Sequence, residues 1–292
     1  MRITNSMLQQ SVVDAVQANL QRIATAQAQV SSGLRITRAS DDPVAAAQIM
    51  RTSQDLDALA QVQRNVTSAQ TRVSAEDSVL NQITNLVTRA QELAVEESSS
   101  TATAATRAST KAEVDGLISQ AVALGNTRVG DEYIFGGAQT TVPPFQANGA
   151  YVGDDTERTA EIGQGVYAAT NHTGRDLLVS SGLLPSLQAL STALASGDGS
   201  AVGATAASLG AANEQIQSLV ADTGARANQL DTAAQSASAL TASLTARQSS
   251  LQDADVATTS TELLAAQTSL QAALLAASRV LPTSLANYLS GM

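Results

Sequence analysis

At 292 residues the chain can bury a sizeable core. Yet aromatics make up only 2% of it, and much of the 43% hydrophobic content is alanine. That composition points to long, thin helical packing rather than the bulky core of an ordinary globular enzyme. A net charge of −10 without any basic run excludes nucleic acid and anionic membrane surfaces as partners. The absence of cysteine removes disulfides, thiolate metal sites and cysteine nucleophiles.

The N-terminal stretch MRITNSMLQQSVVDAV is not a signal peptide, because Gln9, Gln10 and Asp14 interrupt any apolar core. Its helix stops in SSGLRITRASDDP, residues 31–43. Gly33 terminates it, Asp42 is the N-cap of the next helix, and Pro43 is its first residue, where a missing N–H costs nothing. The capping role displaces the other reading of Asp41 and Asp42, a carboxylate pair holding a cation. From Val44 to about Ser98 no glycine or proline intervenes. Leu59, Val62, Val66, Ala69, Val73, Leu80, Ile83, Val87, Ala90 and Ala94 follow one alternating three-four spacing that only Glu76 breaks. Such a heptad seam predicts a helix of about 80 Å packed lengthwise on a partner.

A second helix follows the spacer ESSSTATAAT, with Val114, Leu117, Ile118, Ala121 and Leu124 inward, and ends between Gly125 and Gly130. Five of the six aromatics then fall between Tyr133 and Tyr167, among turn signals such as Gly136-Gly137, Pro143-Pro144 and Asn148-Gly149. Ala160, Ile162, Val166 and Ala168 alternate as a strand face. This region, 133–181, is expected to be a small β-rich insert with its own aromatic core. Helical periodicity resumes near Leu183 and restarts after SGDGS, with Gly203, Gly210 and Gly224 as weak points. Leu263, Leu270, Leu274, Ala277, Leu281 and Tyr288 form a closing stripe. Its most apolar part, from Leu263, holds Gln267 and Gln271 and is too short to span a membrane.

Both ends carry very little charge: Arg2, Asp14, Arg22 and Arg35 in residues 1–37, and Glu262 and Arg279 in residues 257–292. A solvated surface helix carries a charged face, so these ends are suited to burial against partners. Catalytic candidates are poor. Asp253 and Asp255 have no third ligand nearby, and His172, the only histidine, lies in a turn-like NHTG without an adjacent serine or carboxylate. GQGVYA from Gly163 matches a dinucleotide fingerprint in letters but opens no helix. The residues offer no active site, metal or cofactor.

SSGLRITRASDDPVAAAQI resembles the N-terminal signature of the bacterial flagellin family. TRAQELAVEESSST resembles the family's next segment, and SLQDADVATTSTELLAAQTSLQAALLAASRVLPTSLANYL its C-terminal signature. DEYIFGGAQTTVPPF, NHTGRDLL and the ending SLANYL are most similar to the branch that forms the hook–filament junction. The resemblance implies a mainly α fold: an elongated antiparallel bundle or coiled coil of the N- and C-terminal segments with a small β-rich central insert. The implied divisions are an assembly helix and joint at 1–42, rod halves at 43–132 and 182–250, the insert at 133–181, and a closing assembly helix at 251–292. It implies a structural adaptor rather than an enzyme, exported unfolded by the flagellar type III route without a cleaved signal and placed outside the cell. The implied partners are the first hook-associated protein, flagellin, an export chaperone and further copies in a ring, with no nucleic acid, membrane or cofactor. Carried over by motif match, Ser32, Gly33, Arg35, Ile36, Asp41 and Asp42 would form the joint and nearby subunit contacts. Leu270, Leu274, Leu285, Tyr288 and Leu289 would form the buried C-terminal face. A filament-forming flagellin, and from another class a cytosolic coiled-coil scaffold, stay open as alternatives.

Overall fold

The computed structural model describes the backbone of residues 5–99 and 102–289, and the side chains of residues 7, 10–99 and 102–278. In chain order it comprises α1 (Asn5–Ser32), α2 (Pro43–Glu97), α3 (Ala104–Gly125), β1 (Arg128–Val129), β2 (Glu132–Tyr133), β3 (Thr159–Gly163) and β4 (Val166–Ala169). A π-helical turn (Arg175–Ser180) leads into α4 (Leu183–Ser196), α5 (Gly199–Gln252) and α6 (Val256–Leu289). The fold is mainly α with two small antiparallel hairpins, β1–β2 and β3–β4. Two compact units emerge, one of residues 1–57 with 241–292, the other of residues 58–240.

These helices are rich in Ser and Thr and poor in charge, and many hydroxyls fold back onto the preceding turn. Thr67, Thr71, Thr84 and Thr88 each donate to the carbonyl four residues earlier. This satisfies the hydroxyls locally without a charged face. Helix starts are capped in detail. Thr103 and Thr106 form a capping box at α3, and Asp198 accepts from the backbone of Ser200 and Ala201 at α5. Gly203, Gly210 and Gly224 do not weaken α5 visibly, since it runs uninterrupted through all three.

In the first unit, α1 packs along α6. On α1, Val12, Val16, Ile23 and Val30 are half-buried and Ala26 is buried. On α6 the matching row is Thr259, Leu263, Ala266, Leu270, Ala273 and Ala277. Both rows step by three and four, as a coiled-coil seam does. Because the end of α1 and the start of α6 are hydrogen-bonded neighbours (Ala254 N–H to Gly33 O, 2.9 Å), the pair runs antiparallel.

In the second unit, α2, α3, α4 and α5 surround one core. Leu80, Ile83, Val87 and Ala90 of α2 meet Val114 and Ala121 of α3, Leu183, Leu187 and Leu190 of α4, and Leu209 and Ile216 of α5. The stripe expected along α2 is buried from Val66 to Ala94, with Leu59 and Val62 half-buried. Arg107 holds two helix ends at once, donating to the carbonyls of Glu97 and Gly197.

The insert departs from expectation in two ways. It has no separate aromatic core: Phe135 and Phe145 are buried in the same cluster as the helices, together with Leu177 and Leu178. An insert of two short hairpins cannot enclose its own rings, so it uses the helical core instead. The β3–β4 hairpin does present Ile162 and Ala168 inward, where they pack with Val66, Ala69, Val73 and Leu230. Val166, however, is exposed, because the register shifts between Glu161 and Gly163 and moves it off the inner face.

Candidate functional site

The joint between α1 and α2 meets the break between α5 and α6. Gly33 adopts φ +70° and donates its N–H to Gln29 O at 2.9 Å, closing α1 with a left-handed residue. Ser32 Oγ accepts from Leu34 N–H at 3.2 Å. The chain then turns alongside residues 251–254. Arg35 N–H donates to Gln252 O at 2.7 Å and Ile36 N–H to the same oxygen at 3.4 Å. The Arg35 guanidinium adds a bond to Leu251 O at 2.7 Å, satisfying another carbonyl at the end of α5. Ile36 is buried.

Two carboxylates shape the connector. Asp41 accepts from Thr37 N–H (3.1 Å), Arg38 N–H (2.8 Å) and the Thr37 hydroxyl (3.2 Å). The backbone N–H of Arg38, then that of Thr37, hold its carboxyl below the usual aspartate value. Asp42 caps α2 through Ala45 N–H at 3.0 Å and lies 3.7 Å from Arg35. On the opposite side Asp255 caps α6, accepting from the N–H groups of Ala257 and Thr258 and from the Thr258 hydroxyl. The Thr258 hydroxyl leads these donors in lowering its carboxyl below the usual range.

Ser32, Gly33, Arg35, Ile36, Asp41 and Asp42 therefore do come together, and every one has a local structural task. The residues missed were their partners, the carbonyls of Leu251 and Gln252 and the cap Asp255. The D-x-D of 253–255 signalled a helix start, but backbone carbonyls leave no signature in a sequence. Of the closing face, Leu270 lies half-buried in the seam. Leu274 is 52% exposed: it follows Ala273 and turns away from α1, so any burial of it must come from outside this chain. The side chains of Leu285, Tyr288 and Leu289 lie outside the described residues. Exposed Leu264 and Leu275 join Leu274 on the outer side of α6, and Val13 and Leu20 are exposed on α1.

His172 requires a correction. No serine or carboxylate adjoins it in sequence, but the fold supplies two carboxylates, Glu76 at 2.7 Å and Asp222 at 2.9 Å. The lone break in the α2 stripe, Glu76, was the available signal. No nucleophile accompanies them in these contacts, and among the described residues no group of His, Asp and Glu is arranged to hold a metal ion.

Residues 3–140 match the bacterial flagellin N-terminal helical region, and residues 206–289 match the flagellin C-terminal helical region. The chain belongs to the flagellin family. The two family regions meet at the joint, where the segment around Gly33 and Arg35 is hydrogen-bonded to residues 251–254. Two curated relatives are both flagellar hook-associated protein 3. The Salmonella typhimurium protein is 31% identical over 179 residues, covering 61% of this chain and 56% of its own length. The Escherichia coli protein is 34% identical over 167 residues, covering 54% and 53%. The chain thus matches just over half the length of these curated relatives. The solved structure of Bacillus cereus FlgL shares the fold, with a TM-score of 0.60 and 22% identity over 68% of this chain and 99% of that one. Like the family's helical termini, α1 and α6 are helices, and no helix among the described residues is long and apolar enough to cross a membrane.

Proposed function

We propose that this chain is the structural adaptor that joins the flagellar hook, through the first hook-associated protein, to the flagellin filament. The observation that carries this reading is the α1–α6 pair, in a chain whose curated relatives are flagellar hook-associated proteins. Its seam is only half-buried, and Val13, Leu20, Leu264, Leu274 and Leu275 remain exposed outside it. Two helices almost without charge gain little from water, so neighbouring copies in a ring are their natural cover. The names of the relatives favour the junction over the filament itself.

On this reading, 1–42 and 251–292 are the assembly segments, 43–132 and 182–250 the rod halves, and 133–181 the outward insert. The joint residues Ser32 to Asp42 set the angle at which α1 leaves α2 and so the contacts between copies. The role is mechanical, with no catalytic step. Export through the flagellar type III channel would place the chain outside the cell, and a chaperone would cover α6 beforehand.

Sedimentation of the purified chain tests the proposal. Alone it should stay in the supernatant, even with filament fragments as seeds. Hook ends carrying the first hook-associated protein should retain it, and flagellin should then grow from them. Long pelletable filaments of this chain alone would make it a flagellin instead.

A further inference from the structure

His172 lies between β4 and the π-helical turn, and its side chain is buried. Each ring nitrogen faces a carboxylate oxygen, Nδ1 at 2.7 Å from Glu76 Oε1 and Nε2 at 2.9 Å from Asp222 Oδ2. A neutral imidazole has one N–H and would turn a lone pair towards one of the two anions. Only the imidazolium donates to both. Glu76 needs that charge. It is fully buried, its Oε1 also accepts from the His172 backbone N–H at 2.9 Å, and its Oε2 has no hydrogen-bond partner. A buried carboxylate beside an uncharged ring would be left without a counter-ion, a costly state.

The remaining charges around the ring are few. Asp222 also accepts from Arg226 Nε at 2.6 Å, and Arg226 reaches Asn171 O at 2.9 Å and Glu157 at 3.0 Å. Arg158, whose backbone bonds to Asn171 and Thr170, has its own side chain paired with Glu132. The ring therefore meets Glu76 from α2 and Asp222 from α5, with the Arg226 guanidinium beyond and Glu157 behind it.

We propose that protonated His172 is a pH-operated latch, fastening the insert to α2 and α5 and releasing it as the solution turns alkaline. Desolvation disfavours the charge on the ring and so does Arg226. The hydrogen bond and charge of Glu76, with the charge of Asp222, outweigh them and raise His172 above its ordinary 6.5. The latch's contribution is then complete below 6.5 and is lost as pH rises through the folded value. The residues it joins are far apart in the chain, and His172 lies in 141–205, outside both matched flagellin regions. The latch is thus a feature of this chain beyond its family helices.

The composition makes the test clean. With one histidine, one lysine and no cysteine, the only other group that ordinarily titrates between about pH 6.5 and pH 9 is the terminal amine. Proton NMR of the full chain should show a single imidazole signal with a midpoint above 6.5, moved down in Asp222→Asn. Urea titrations should show the folded-to-unfolded ratio of the wild type falling about tenfold for each pH unit by which that midpoint exceeds 6.5. His172→Gln should abolish this fall. If His172→Gln does not fold, Asp222→Asn, which removes a half-exposed partner, carries the test by itself. An imidazole midpoint at or below 6.5, a midpoint unmoved in Asp222→Asn, or an equal alkaline loss in His172→Gln would each overturn the latch.

Discussion

Gly33 and Asp42 bracket the joint with opposite tasks, one ending a helix and the other beginning one. At Gly33 a Cβ would meet nothing within 4 Å, so its substitution is penalised by backbone strain alone. A φ of +70° carries a penalty of about 1–2 kcal/mol for an L-residue, and a β-branched side chain worsens it. Gly33→Ala should lose roughly that amount, and Gly33→Val more. Asp42→Ala should lose about 1 kcal/mol by leaving Ala45 N–H without its acceptor, whereas Asp42→Asn should be nearly neutral. Thermal denaturation followed by circular dichroism measures these differences. A Gly33→Val chain as stable as the wild type would remove the joint's strain argument, and unchanged retention on hook ends would remove the joint from the assembly contacts.

At the scale of elements, what could be read from the sequence was the periodic part. The α2 stripe is apolar at every seam position except Glu76, and helix geometry alone then dictates which side is buried. The caps Asp42 and Asp198 were equally legible, since they act within three residues of themselves. The insert was not, because its placement depends on contacts that no local pattern encodes. Glu76 and His172 are 96 residues apart, and Phe145 is held by the Asn126 side chain, which bonds to both its N–H and its carbonyl at 2.9 Å. Gly125, at the end of α3, shows the consequence. A Cβ there would lie 2.6 Å from the Phe145 ring. Helix propensity favours alanine over glycine by about 1 kcal/mol, but displacing a packed ring costs about 1–3 kcal/mol. Gly125→Ala should therefore lower the urea midpoint, against propensity. A raised midpoint would mean that the ring does not rest on this helix end.

The two units differ most in what they bury. Residues 58–240 enclose Leu80, Ile83, Phe135, Leu177, Leu187 and Ile216 in one cluster. In the other unit, the buried hydrophobic side chains among the described residues are Ala26, Ile36, Ala45, Ala46 and Ala266. Alanine removes little area from water, at about 25 cal/mol per Å², while each ordered residue forfeits about 1–2 kcal/mol of backbone entropy. Helices of this kind owe their stability to packing rather than to propensity. The α1–α6 seam of an isolated chain should therefore open far more readily than the core of α2, and ordering should be completed by neighbouring copies. Hydrogen exchange resolved by peptide can decide this. In the monomer, amides of residues 12–30 and 259–277 should exchange orders of magnitude faster than those of residues 79–94. On hook ends the two groups should become comparably protected. Equal protection of all three segments in the free monomer would show that the seam is self-sufficient, and that assembly adds contacts without ordering the helices that make them.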